Sequence, residues 1–202
     1  TIPAEKYLRC FLLKMKSAFQ SLKISNIRKQ LDCAVTLFNG QCFTWRKLSE
    51  TEFLGVVKDH VVEIKQEPDD IMFRTHPDST DMRKVLHDYF QLEYNLEELY
   101  EEWNDRDPKF QKIADRMPGV RILRQPPFEC LISFICSQNN HISRITGLIN
   151  KIKSNYGSKI GKFYGEDLYR FPSHEELKRA TVDELRELGF GYRAPYIVET
   201  VK

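Results

Sequence analysis

The spacing of apolar positions along this 202-residue chain changes near residue 77. From about Ala34 to Thr75 the apolar runs are short and strand-like. AVTLF and QCFTW flank Asn39-Gly40, a two-residue turn signal that predicts a hairpin. EFLGVV and VVEIKQ flank Lys58-Asp59-His60, and IMFRT follows Glu67-Pro68-Asp69-Asp70. These runs predict an antiparallel meander whose turns take Gly, Pro and Asp for backbone reasons. From Ser79 onward the period becomes helical. DMRKVLHDYFQL predicts one helix, and NLEELYEEW another, capped by Asn95 with Leu96, Leu99, Tyr100 and Trp103 along one face. PKFQKIADRM and PPFECLISFIC each begin with proline, which suits a first helical turn, and the second is apolar nearly all round, which predicts a buried helix. ISRITGLINKIKSNYG carries Ile142, Ile145, Ile149 and Ile152 on one stripe and stops at Gly157. Ser173–Glu176 and Thr181–Glu184 fit the capping-box pattern, and the helix opened by the second box stops at Gly189 and Gly191. Sheet first and helices afterwards is an α+β arrangement.

Composition narrows the class. Apolar residues make up 41% and charged residues 30%, an ordinary globular balance that does not suggest disorder. The net charge of +2 means that binding to a polyanion needs a local basic patch. Five scattered cysteines without CxxC spacing point to a reduced, intracellular protein, and the histidines show no metal-ligand spacing. No apolar stretch is long enough to span a membrane. Residues 1–29 hold seven basic side chains and one acidic, with Leu8, Phe11, Leu12, Met15 and Phe19 at helical spacing. An organelle-targeting segment and a basic, poorly ordered tail both fit.

Three points interrupt the regular pattern, and each has a plain explanation. Asn39-Gly40 suits a hairpin turn. Gln138 to Arg144 suits a helix end followed by a new N-cap, with Asn139 or Asn140 satisfying orphan backbone groups. Gly189 to Arg193 suits a glycine helix stop followed by surface residues. The same three blocks, GQCFTWRK (40–47), VRILRQPPFECLISFICSQNNHISRITGLINKI (120–152) and ELGFGYRAPY (187–196), closely resemble eukaryotic 8-oxoguanine DNA glycosylases in order and spacing. The resemblance covers roughly residues 30–202.

The resemblance implies an α+β fold: an antiparallel sheet domain with flanking helices over 30–118, then over 119–202 the first part of a helical domain that stops before the helix-hairpin-helix. It implies a bifunctional glycosylase/AP lyase that removes 8-oxoguanine opposite cytosine from duplex DNA. Such an enzyme acts as a monomer, in the nucleus or also the mitochondrion, with no cofactor, metal or membrane partner. Gly40 matches the glycine whose main-chain carbonyl senses N7–H of the oxidised base. Asn139 matches the residue that fills the gap left by the extruded base. Arg144 and Arg193 match the two arginines that grip the orphaned cytosine, and Tyr192 the aromatic wedge beside it. The chain departs from the family at Gln138, where a smaller residue is usual, and at His141, which stands where a third asparagine is usual; His141 reads as a helix-start residue. The family's lysine nucleophile and its aspartate belong to a hairpin region with no match here, so no catalytic residue is assigned and the 202 residues alone are expected to be inactive. A non-catalytic DNA-binding isoform, an α+β interaction module and a related glycosylase with another lesion preference are the competing readings.

Overall fold

The computed structural model describes residues 17–24 and 27–202. The helical spacing over Leu8–Met15, and the targeting reading built on it, lie outside those residues. In chain order the elements are β1 (Gln20–Ser21), α1 (Ile27–Gln30), α2 (Cys33–Phe38), β2 (Arg46–Lys47), β3 (Glu52–Val57), β4 (His60–Gln66), β5 (Ile71–His76), α3 (Met82–Tyr89), α4 (Leu96–Arg106), α5 (Gln111–Arg116), α6 (Pro127–Ser137), α7 (Ile142–Tyr156), β6 (Lys159–Phe163), β7 (Glu166–Tyr169), α8 (His174–Leu177), α9 (Val182–Glu187) and α10 (Arg193–Thr200). The α+β class holds.

One antiparallel sheet runs β1-β5-β4-β3-β2. Its centre is the expected meander, with Val57 opposite His60 and Gln66 opposite Ile71. Alternation along β3 divides its side chains between two faces. Phe53 and Val57 enter a core with Leu37, Met82, Leu86 and Phe90. Leu54 and Val56 pack with Val61 and Phe163 of β6. A second core joins α6, α7, α9 and α10 through Ile132, Cys136, Ile149, Ile152, Leu185 and Ile197.

The segment after Gly40 is the seam between these cores. Cys42 and Trp45 belong to the sheet core, whereas Phe43 belongs to the helical core. Gly55 is what admits Trp45: a β-carbon there would lie 2.4 Å from the indole ring.

The structure corrects several expectations. AVTLF is helical, not a strand. Asp32 caps α2 by accepting from Val35 N–H, and Cys33, Thr36 and Leu37 turn to one buried side at helical spacing. Asn39-Gly40 is therefore no hairpin turn. Asn39 is the C-cap and Gly40, at φ 93, is the glycine just past it, where a left-handed residue commonly stops a helix. QCFTW is irregular, with Cys42 and Trp45 turned to one core and Phe43 to the other. PKFQKIADRM becomes helical only at Gln111. The region read as wholly helical contains the β6–β7 hairpin, turned by Tyr164 and Gly165 at φ 51 and 84, the two positive angles of a type I′ turn. PPFECLISFIC buries only one face: Ile132, Ser133 and Cys136 are covered, while Phe134 is 75% exposed.

Candidate nucleic-acid interface

The break after α6 is built by division of labour among adjacent side chains. Asn140 Nδ2 donates to the Cys136 carbonyl at 2.9 Å, and its Oδ1 accepts from His141 N–H at 3.0 Å. His141 is the N-cap of α7: its Nδ1 accepts from Arg144 N–H at 3.4 Å and lies 2.9 Å from Ser143 Oγ. Between the two helices Asn139 stands at φ 46, a left-handed conformation that asparagine tolerates better than most residues. Asn140 and His141 do the capping, and the Asn139 amide is left exposed with no hydrogen bond among the described residues.

Arg144 projects from the first turn of α7. It is exposed, and its guanidinium makes no hydrogen bond or ion pair among the described residues. Arg193, its counterpart in the sequence, is placed quite differently. It is 2% exposed at the start of α10. Its Nη2 donates to the carbonyls of Gln138 and, at 3.2 Å, Asn139. The guanidinium stacks 4.5 Å over the Tyr192 ring, and Tyr192 OH donates to the Gln138 carbonyl at 3.1 Å. Arg193 Nε is buried without a hydrogen-bond partner among the described residues. Tyr192 itself is 49% exposed. The α9–α10 turn thus grips the main chain of the α6–α7 loop.

Gly40 reaches the same place from the sheet side. A β-carbon at Gly40 would stand 3.3 Å from Ile142 Cδ1, at the start of α7. All five residues singled out in the sequence therefore lie around the α6–α7 loop.

Other residues, which sequence spacing did not single out, support it. Gln41 Nε2 donates to the carbonyls of Thr36 and Arg121 at 2.9 and 2.8 Å, and its Oε1 accepts from Leu123 N–H at 2.9 Å. Arg121 is buried, and its guanidinium donates to the Gln30, Gln91 and Tyr94 carbonyls. Glu129 and Lys153 face each other electrostatically between α6 and α7. Burial raises the Glu129 carboxyl to about 7 against the pull of Lys153, and lowers the Lys153 ammonium to about 8 against the pull of Glu129. Lys153 is 5% exposed, while Glu129 keeps a partial opening to solvent. Both had a signal in the sequence: Glu129 is the one charge in an apolar run, and Lys153 falls four positions after Ile149 on the buried stripe.

Residues 132–202 match the HhH-GPD superfamily of base excision DNA repair proteins. That sets the class: an antiparallel sheet domain beside a helical domain that matches this superfamily. Residues 23–131 match the 8-oxoguanine DNA glycosylase N-terminal domain. The chain is 37% identical over 178 residues to the Arabidopsis thaliana N-glycosylase/DNA lyase OGG1, covering 85% of this chain and 48% of that protein. It is 38% identical over 194 residues to the N-glycosylase/DNA lyase of Saccharomyces cerevisiae, covering 89% and 51%. Among solved structures, the Clostridium acetobutylicum 8-oxoguanine glycosylase/lyase in complex with duplex DNA containing cytosine opposite 8-oxoguanine superposes with a TM-score of 0.79 at 31% identity, over 93% of this chain and 65% of that one. MBOgg1 in complex with a low-affinity DNA ligand gives 0.80 at 30% identity, over 92% and 65%. The chain belongs to the 8-oxoguanine DNA glycosylase family. It spans about half the length of the curated relatives it matches.

Proposed function

We propose that this chain supplies lesion and partner-base recognition for a glycosylase/AP lyase that removes 8-oxoguanine opposite cytosine from duplex DNA. One observation carries the reading: three unspent hydrogen-bonding groups, the Gly40 carbonyl, the Asn139 amide and the Arg144 guanidinium, surround one loop that other residues hold in place. Each suits a different part of the damaged pair.

An enzyme that acts on a base must take it out of the stack. Guanine presents an acceptor at N7, which opposes a carbonyl lone pair. Oxidation at C8 puts a proton on N7, and repulsion becomes attraction at the Gly40 oxygen. The asparagine amide carries both donor and acceptor, so Asn139 can occupy the vacated place and pair with what remains. Cytosine N3 and O2 accept, and a guanidinium only donates, so Arg144 complements the orphaned base. Arg193 holds the loop that presents these groups, with Tyr192 as the stacking surface beside it.

The covalent step of such lyases needs an amine with its lone pair free. Lys153 is the buried lysine whose ammonium is weakened by burial. It lies nine positions after Arg144, which at ~100° per residue puts it on the opposite side of α7. We therefore assign no nucleophile within these residues, and the 202-residue chain forms no imine with DNA. Borohydride trapping on an 8-oxoguanine:cytosine duplex is the test: no adduct is expected, and a covalent adduct refutes the assignment. Arg144→Ala is expected to weaken discrimination between cytosine and adenine opposite the lesion, and unchanged selectivity removes Arg144 from its role.

A further inference from the structure

The Gly40 carbonyl accepts no hydrogen bond among the described residues, yet the peptide that carries it is tied down. The next N–H, that of Gln41, belongs to the same planar unit and donates to Asn39 Oδ1 at 3.3 Å. A trans peptide points its C=O and N–H in opposite directions. Fixing the N–H on Asn39 therefore aims the Gly40 oxygen away from that side chain. A glycine at φ 93 has no β-carbon to set this plane by itself, so the direction must come from neighbours.

Gln41 anchors the other end. Its side chain makes three hydrogen bonds, to Thr36, Arg121 and Leu123, and its own carbonyl accepts from Gln125 Nε2 at 2.7 Å. The amide has a single workable orientation, because a flipped one would set its oxygen against two carbonyl oxygens. Two of the three partners, Arg121 and Leu123, lie about 80 residues away in sequence. The bond pattern thus welds the end of α2 to the segment before α6, at the place where Gly40 meets Ile142.

We propose that Asn39 and Gln41 are positioning residues for base selection: they hold the peptide plane of Gly40 so that its oxygen faces the extruded base. This rests on the reading of Gly40 as the base sensor. Neither side chain touches the base; both act through the direction of one carbonyl. The bonds they make are all within the protein, so their loss affects discrimination at the base rather than attraction to the DNA backbone.

The experiment measures dissociation constants of the 202-residue protein for 8-oxoguanine:cytosine and guanine:cytosine duplexes at one fixed salt concentration, since phosphate attraction varies steeply with salt. The variants are Asn39→Ala, Asn39→Asp and Gln41→Met, each with its thermal midpoint. Asn39→Ala and Gln41→Met are expected to reduce the ratio of the two constants by about tenfold, the scale of one base-edge contact. Asn39→Asp keeps the accepting oxygen and is expected to keep the ratio, although its charge weakens binding to both duplexes. Should Gln41→Met unfold, the exposed Asn39 pair decides. An undiminished ratio in Asn39→Ala overturns the positioning role alone. A wild-type protein that binds both duplexes equally, or neither, overturns the reading of Gly40 and the proposal with it.

Discussion

Replacing Arg193 by alanine separates the two arginines that the sequence presents as a pair. Arg193 is buried and gives charged hydrogen bonds to two main-chain carbonyls. The Gln138 carbonyl keeps its bond from Tyr192 OH in the variant, so the Asn139 carbonyl loses most. A hydrogen bond to a charged group contributes about 1.5–3 kcal/mol, and stacking on Tyr192 about 0.5–2 kcal/mol more. Removing the orphaned Nε returns about 1–3 kcal/mol. The balance is a loss of ~2 kcal/mol of folding stability without any DNA present. Arg144→Ala, which removes an exposed and unpaired side chain, is expected to stay within about 0.5 kcal/mol of wild type. Urea unfolding at pH 7 measures both. Amide hydrogen exchange across residues 138–141 should speed up in Arg193→Ala and not in Arg144→Ala. If Arg193→Ala costs under about 0.5 kcal/mol and leaves loop exchange unchanged, Arg193 does not hold the loop.

The Glu129–Lys153 pair gives a second test. Lys153→Met removes the charge that favours the ionised Glu129, so the carboxyl takes up a proton in its site, and the variant is expected to destabilise by less than the ~3–5 kcal/mol typical of breaking a fully buried pair. Adding Glu129→Gln is expected to recover most of that loss in urea unfolding, and a double variant no better than the single one contradicts the coupling. Acid unfolding tests the capping box of α8. The Arg170 guanidinium, with Ser173 N–H, holds the Glu176 carboxyl down at about 2 from 4.5. A depressed acid stabilises above its unfolded pKa, so this contribution is complete above about pH 4.5 and is lost toward pH 2. Glu176→Gln should therefore be less stable than wild type at pH 7 and equal to it near pH 2, whereas a gap independent of pH would rule out the ionised pair.

The middle of the sheet and the longer helices were legible because their apolar periods are long and their caps are ordinary: Asn95, Ser173 and Thr181 cap where the spacing says they should. The errors cluster where a short segment answers to two partners. AVTLF has the composition of a strand, but Asp32 and Gly40 bracket one and a half helical turns of it, and local capping outweighs β-propensity over so short a run. The β6–β7 hairpin was masked by neighbouring helices, although Tyr164-Gly165 is a turn signal. At the site, the residue types were legible and their surroundings were not. His141 reads as a helix-start residue from the sequence, but Asn139 and Asn140 look alike there, and only the bond to Cys136 shows which of them is spent on capping. The same holds for Arg144 and Arg193, where burial is decided by elements 50 residues apart. Gln41 carried no local signal, because two of its three side-chain partners, Arg121 and Leu123, lie about 80 residues further along the chain.

On the proposed reading, these residues recognise both the oxidised base and its partner. Titration of the 202-residue protein against three duplexes, 8-oxoguanine:cytosine, guanine:cytosine and 8-oxoguanine:adenine, at constant salt tests it most directly. Tightest binding to 8-oxoguanine:cytosine, with each mismatch in the pattern costing about 1–3 kcal/mol, is the expected result. Equal affinity for all three would contradict it.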